Sequence, residues 1–190
     1  MNALTPLVPT APFMAPPDLM ALAYIANNLR EVDKREVFAG RITTPEQLTI
    51  EAFQTTGLCD VAWVHGRPAA AVGGRELWRG VWSVWAWGTD DWHDVKFTLT
   101  RHIIRTLVPA MLAHGGHRGE CYSHEDHHEA HAWLEWLGFT CEGRLREYAR
   151  DRSDFLIYAW RRHADVLQFW GRRRQLVADV PATARSAGTG

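Results

Sequence analysis

Apolar positions along this chain change their period several times, and each change marks an element. From Asp18 the spacing of Leu19, Leu22, Ile25 and Leu29 is helical, and the polar stretch Arg30 to Arg35 carries the helix on with mixed charges on a solvated face. Thr44-Pro45-Glu46-Gln47 sets a cap residue, a proline at the first helical position and a glutamine three residues after the cap, which predicts a second helix to about Gln54. Then the period shortens. CDVAWVHG (59–66), PAAAVGG (68–74) and VWSVWAWG (81–88) are short apolar runs separated by turn residues, the signature of an antiparallel meander. The third run is apolar on both faces, which predicts a central strand covered by helices on both sides.

A long helical segment follows, from about Asp94 to His114, with Ile104, Leu107, Val108 and Met111 on one stripe and Gly115-Gly116 past its end. Pro109 predicts a kink in it. A strand near Arg118 to Tyr122 comes next. Ser123 followed by Asp126 has the capping-box spacing, so a helix is expected from 124 to Trp136 with Ala130, Trp133, Leu134 and Leu137 as its core stripe. Two strands, around CEGRLREYAR (141–150) and DFLIYAWRR (154–162), complete the pattern. Residues 1–17, with prolines at 6, 9, 12, 16 and 17, read as an extended arm, residues 18–162 as one domain, and residues 163–190 as a basic segment with a small-residue tail.

Composition narrows the function classes. The 190 residues suit a single core, and a net charge of −1 leaves no whole-molecule field for nucleic acid or an anionic membrane, so any such contact is local. Three cysteines, Cys59, Cys121 and Cys141, are an odd count without C-x-x-C spacing, which argues against a disulfide framework and points to a reducing compartment. No basic residue precedes the first apolar ones, so no secretory signal is expected, and no apolar run approaches the ~18 residues of a membrane span. Ten tryptophans are the largest compositional departure; they serve a core first and interfaces second.

Two clusters carry candidate chemistry. His124, Glu125 and His128 spell H-E-x-x-H, and on the expected helix His124, His128, His131 and Glu135 share one flank, which is a zinc-hydrolase pattern. Against it, His124 would be the first residue after a cap, where zincins place both histidines mid-helix; the alternative is a polar flank with Glu125 and Asp126 serving the helix dipole. At the other end, Trp170 with Arg172, Arg173 and Arg174 forms a partner-binding cluster, able to grip acidic protein surfaces or to make a local nucleic-acid contact.

The element order, together with HHEAHAWLEWLGFTCEG (127–143), resembles the GNAT superfamily of acyl-CoA-dependent N-acetyltransferases, whose N-x-x-A-x-x-x-Y-x-x-x-G-F segment places Ala130, Gly138 and Phe139 in register. Over residues 18–162, with GVWSVWAWGTDDW before a long helix, the chain is also similar to small acetyltransferase-like proteins of short-tailed bacteriophages, some of them virion or assembly components. The resemblance implies an α/β (α+β) fold with a mostly antiparallel mixed central sheet and helices on both faces. It also implies a CoA-diphosphate loop of the form Q/R-x-x-G-x-G/A, an anion nest at a helix start. Here the corresponding stretch, Gly88 to Lys96, has no glycine after 88 and carries Asp90, Asp91 and Asp94; the tyrosine that many members use as acid aligns with Leu134, and His127 stands where asparagine is frequent. The expectation is therefore a virion-associated structural or assembly protein with no catalytic residue, cofactor or metal, made in the host cytoplasm. Its partners would be other virion proteins and copies of itself. The alternative is an active acetyl-CoA-dependent N-acetyltransferase.

Overall fold

A computed structural model describes residues 11–54 and 57–162. Asp18 caps the first helix, α1 (Leu19–Asn27), by accepting the Met20 N–H at 2.8 Å. A second short helix, α2 (Glu31–Val37), follows where a continuation of the first was expected. The break falls at Asn27 and Asn28, whose side-chain amides donate to the carbonyls of Ala23 and Tyr24 and so compete with further helical turns. In α3 (Pro45–Phe53) Thr44 accepts the Gln47 N–H at 3.3 Å, while Gln47 Oε1 reaches back to Thr43 rather than to the cap residue.

Seven strands form one sheet: β1 (Phe13–Ala15), β2 (Leu58–Val64), β3 (Arg67–Trp78), β4 (Val81–Gly88), β5 (Arg118–His124), β6 (Thr140–Leu145) and β7 (Phe155–Arg161), in the order β1-β2-β3-β4-β5-β7-β6. Every neighbouring pair is antiparallel except β4 with β5. The expected extended arm thus ends inside the sheet, because Phe13 to Ala15 pair with Val61 to Trp63.

Side-chain alternation along β4 places the core on both sides of it, as the sequence predicts. Trp87 joins Leu22, Ile25 and Leu48 of α1 and α3 on one face. Trp82 joins Val108, Met111 and Trp160 on the other. That second face is covered by α4 (Trp92–His102), whose Val95 and Leu99 pack on Ala62, Ala70 and Val72. The long helix does not simply kink at Pro109. It widens into a π-helical stretch over Ile103–Leu107 and resumes as α5 (Val108–Ala113), with the proline in the first turn, where its missing N–H costs nothing.

The last helix, α6 (His128–Trp136), begins four residues later than the capping pattern predicts. Ser123 and His124 instead end β5, paired with Leu156 and Phe155 of β7. Two cross-strand partners outweigh one local cap, whose worth is about 1 kcal/mol. No helix among the described residues is long and apolar enough to cross a membrane.

Candidate functional site

β4 and β5 pair over three positions, Val81↔Arg118, Trp82↔Gly119 and Ser83↔Glu120, and then diverge, β4 to Gly88 and β5 to His124. Two carboxylates one turn apart on α2 reach one strand each. Asp33 Oδ2 accepts the Gly88 N–H of β4 at 2.7 Å, and Glu36 Oε2 accepts the His124 N–H of β5 at 2.7 Å. Glu36 Oε2 also accepts from Ser123 Oγ at 2.7 Å and from His127 Nδ1 at 3.0 Å. Because a carboxylate only accepts, this contact assigns the Nδ1 hydrogen of His127. Its Nε2 lies 3.8 Å from Asp33 Oδ1, which closes a chain of polar groups across the gap.

Arg30 anchors the arrangement. Its Nε and Nη2 hold both Asp33 oxygens at 2.9 and 3.0 Å, its Nη1 reaches Glu129 at 3.0 Å, its backbone N–H donates to the Gly88 carbonyl at 3.0 Å, and its guanidinium lies 4.4 Å over Trp92. Asp33 is 3% exposed. Burial pushes its carboxyl above the usual range, opposed by Arg30, the Gly88 N–H and His127. The expected solvated face from Arg30 to Arg35 is therefore half site: Lys34 and Arg35 are exposed, whereas Arg30 and Asp33 are packed against β4.

The turn from β4 into α4 is equally committed. The Thr89 N–H donates to the Ala69 carbonyl at 2.8 Å, the Asp91 N–H to Thr89 Oγ1 at 3.3 Å and the Trp92 N–H to the Thr89 carbonyl at 2.9 Å. Arg67 grips Asp91 through two bonds of 2.6 and 2.9 Å and holds its carboxyl below the ordinary value. Asp94 lies 3.4 Å from His65. Residues 89–91 are the whole connection, shorter than the six-position loop the resemblance implies. A Cβ on Gly88 would stand 2.9 Å from both the Ala69 carbonyl and the Trp92 ring, so this glycine serves packing within the protein. These residues fit a diphosphate poorly: the N–H groups of Thr89, Asp91, Trp92 and Asp94 are spent on the protein's own oxygens, and Asp90, Asp91 and Asp94 set like charge around the helix start.

Behind the polar chain lies a cavity of about 400 Å³, walled from both faces of the sheet by residues that include Trp82, Val84, Trp85, Met111, Trp133 and Phe139. Leu134, where the resemblance implies an acidic tyrosine, forms part of its apolar wall.

The H-E-x-x-H residues separate. His124 ends β5 and sets its ring edge-on to Phe155 at 5.4 Å, Glu125 pairs with Arg144, and His128 opens α6 on the surface. His131 stacks on Tyr158 at 5.5 Å, and its Nε2–H donates to the His124 carbonyl at 3.0 Å. Among the described residues no group of three or more His, Cys, Asp or Glu is placed to hold a metal ion. Burial lowers the His131 pKa. The unfolded chain then binds its proton first, so stability present near neutral pH is lost as pH falls through about 6.5 toward the lower folded value. Melting temperatures measured from pH 7.5 to 5 should fall, and His131→Gln should flatten part of that fall.

Of the cysteines, Cys121 lines the gap and burial raises its thiol pKa, as burial pushes that of Cys59 on β2 up to about 12, so both favour the protonated thiol. Arg161 stands 3.6 Å from Glu142 at the end of β7. Trp170, Arg172, Arg173 and Arg174 lie outside the described residues.

Strand order, the diverging β4–β5 pair and the helices on both faces define the GNAT acetyltransferase fold. Solved structures agree. The ribosomal-protein-S18-alanine N-acetyltransferase from Escherichia coli superposes with a TM-score of 0.60 at 17% identity, covering 79% of this chain and 93% of that one. A GNAT-family acetyltransferase from Streptococcus pneumoniae gives 0.57 at 14%, covering 80% and 99%. The Salmonella typhimurium protein yncA, solved with its cofactor acetyl-CoA, gives 0.60 at 14%, covering 80% and 96%. At such identities the likeness establishes the fold alone. No family model and no curated protein matches the sequence.

Proposed function

We propose that this protein is a catalytically degenerate form of the acetyltransferase fold that acts by protein–protein contact, as a structural or assembly component of a bacteriophage particle. The observation that supports a loss of catalysis is the turn into α4, where the N–H groups of Thr89, Asp91 and Trp92 are bonded within the protein and Asp90, Asp91 and Asp94 put like charge where the resemblance implies an acyl-CoA diphosphate. A base without a bound acyl donor has no reaction to serve. The phage setting rests on the resemblance of the GVWSVWAWGTDDW segment to acetyltransferase-like phage proteins, and the partners it implies are other virion proteins and further copies of this chain.

Calorimetric titration with acetyl-CoA tests this reading. The expected result is no heat of binding at millimolar cofactor. The cavity between β4 and β5 favours a second reading, an acetyl-CoA-dependent N-acetyltransferase with its acyl group in that space. Micromolar binding accompanied by acetylation of an amine would establish the enzyme and remove the scaffold.

A further inference from the structure

We infer that the end of the sheet where the β3–β4 turn meets the start of β5 and the end of β7 binds single-stranded nucleic acid, with Trp78 stacking on a base and Arg75, Arg79 and Arg162 holding phosphates, a contact beyond the protein–protein reading above. Topology gathers these residues. Trp78, Val81, Arg118 and Arg161 are register partners in one row across β3, β4, β5 and β7. The Arg162 N–H donates to the His117 carbonyl at 2.8 Å and the His117 N–H to the Gly80 carbonyl at 2.8 Å, which sets Arg162 beside the Arg79–Gly80 turn.

Positive charge is in excess here. Glu120 and Glu142 are both bonded to Arg118, Arg161 stands 3.6 Å from Glu142, and Glu76 accepts the Gly80 N–H at 2.6 Å. Arg75, Arg79 and Arg162 are exposed and form no ion pair among the described residues. Five arginines thus meet three carboxylates, although the whole chain carries a net charge of −1. Acidic residues Asp90, Asp91 and Asp94 lie past the other end of β4, roughly 25 Å away at ~3.3 Å per strand residue, so the field turns this end toward a polyanion.

The second observation is the ring. Trp78 is 62% exposed and lies between Arg75 and Arg79 in the sequence. A bare indole among guanidinium groups is the combination that binds single strands, the ring taking a base face and the cations the backbone. A single strand is favoured over a duplex because its bases are free to leave their neighbours for the ring. An acidic protein surface would satisfy the arginines and give the indole no planar partner. Beyond Arg162 the sequence repeats the same residue types in Trp170, Arg172, Arg173 and Arg174.

Fluorescence anisotropy of a labelled oligothymidylate of about 20 nucleotides, longer than the ~4–16 that a single-strand site covers, reads binding to the full chain. Saturable binding is expected, with log affinity falling against log salt at a slope of about −2, the value for three phosphates on a single strand. Trp78→Ala should weaken binding about five- to a hundredfold and leave the slope unchanged. Arg79→Gln should flatten the slope by about 0.7. Both side chains are exposed, so the two variants should melt with the wild type. No saturable binding at ~50 mM salt, or equal affinity in wild type and Trp78→Ala, would overturn the inference. A duplex of the same length that binds as tightly as the strand would overturn it too, and so would displacement of the strand by polyglutamate at equal charge, which assigns the arginines to an acidic protein.

Discussion

Asp33→Ala should lower stability by about 3–5 kcal/mol, the cost of removing one partner from a buried ion pair. The substitution strands the Arg30 guanidinium, whose side chain is 10% exposed, and leaves the Gly88 N–H without its acceptor. For a chain of this length each kcal/mol moves the melting temperature by roughly 2–4 °C, so a fall of roughly 6–20 °C is expected in a thermal scan. Asp33→Asn, which keeps an acceptor for Gly88 and loses the charge, should fall less. A shift within 2 °C for the alanine variant would mean that water replaces the carboxylate and that the gap is open to solvent.

Trp87→Ala should be comparably damaging, at about 3–5 kcal/mol for a buried aromatic reduced to alanine. Trp87 is 2% exposed, packs with Leu22, Ile25 and Leu48, and stacks on Trp85 at 5.6 Å. Its loss removes part of the packing that holds α1 and α3 against the sheet. Denaturant unfolding followed by tryptophan fluorescence would read the change, with Trp87→Phe retaining most of the packing. A loss under 1 kcal/mol for Trp87→Ala would show that the helical layer is held by other means.

Much of this fold is legible in the residue pattern because its periodic signals are long. The meander from Leu58 to Gly88, the double-sided apolar run of β4 and the Thr44 cap all depend on neighbours in sequence, and all form as the pattern predicts. The start of α6 does not, because the hydroxyl of Ser123 has a better acceptor in Glu36, 87 residues away. A capping box is a local competitor, and a strand partner plus a buried carboxylate defeats it.

The site is the least legible part. Arg30, Asp33 and Glu36 look like ordinary surface charges, and nothing in their order says that they face a gap between two strands. One signal was available: Glu31 to Val37 has too few apolar residues to dock by hydrophobic contact, so a helix there needs polar anchors. The acidic character of the turn after Gly88 is visible in the sequence, since it rests on composition alone. The Arg67 partner of Asp91 comes from a distant position and is not.

The three-pair seam between β4 and β5 also leaves room for an order of assembly. Strands β1 to β4 find all their hydrogen-bonding neighbours among themselves except along that seam, and β5, β7 and β6 do the same. A nascent chain can therefore complete its first four-stranded layer before residue 118 leaves the ribosome, and the remaining strands dock onto a template that already exists.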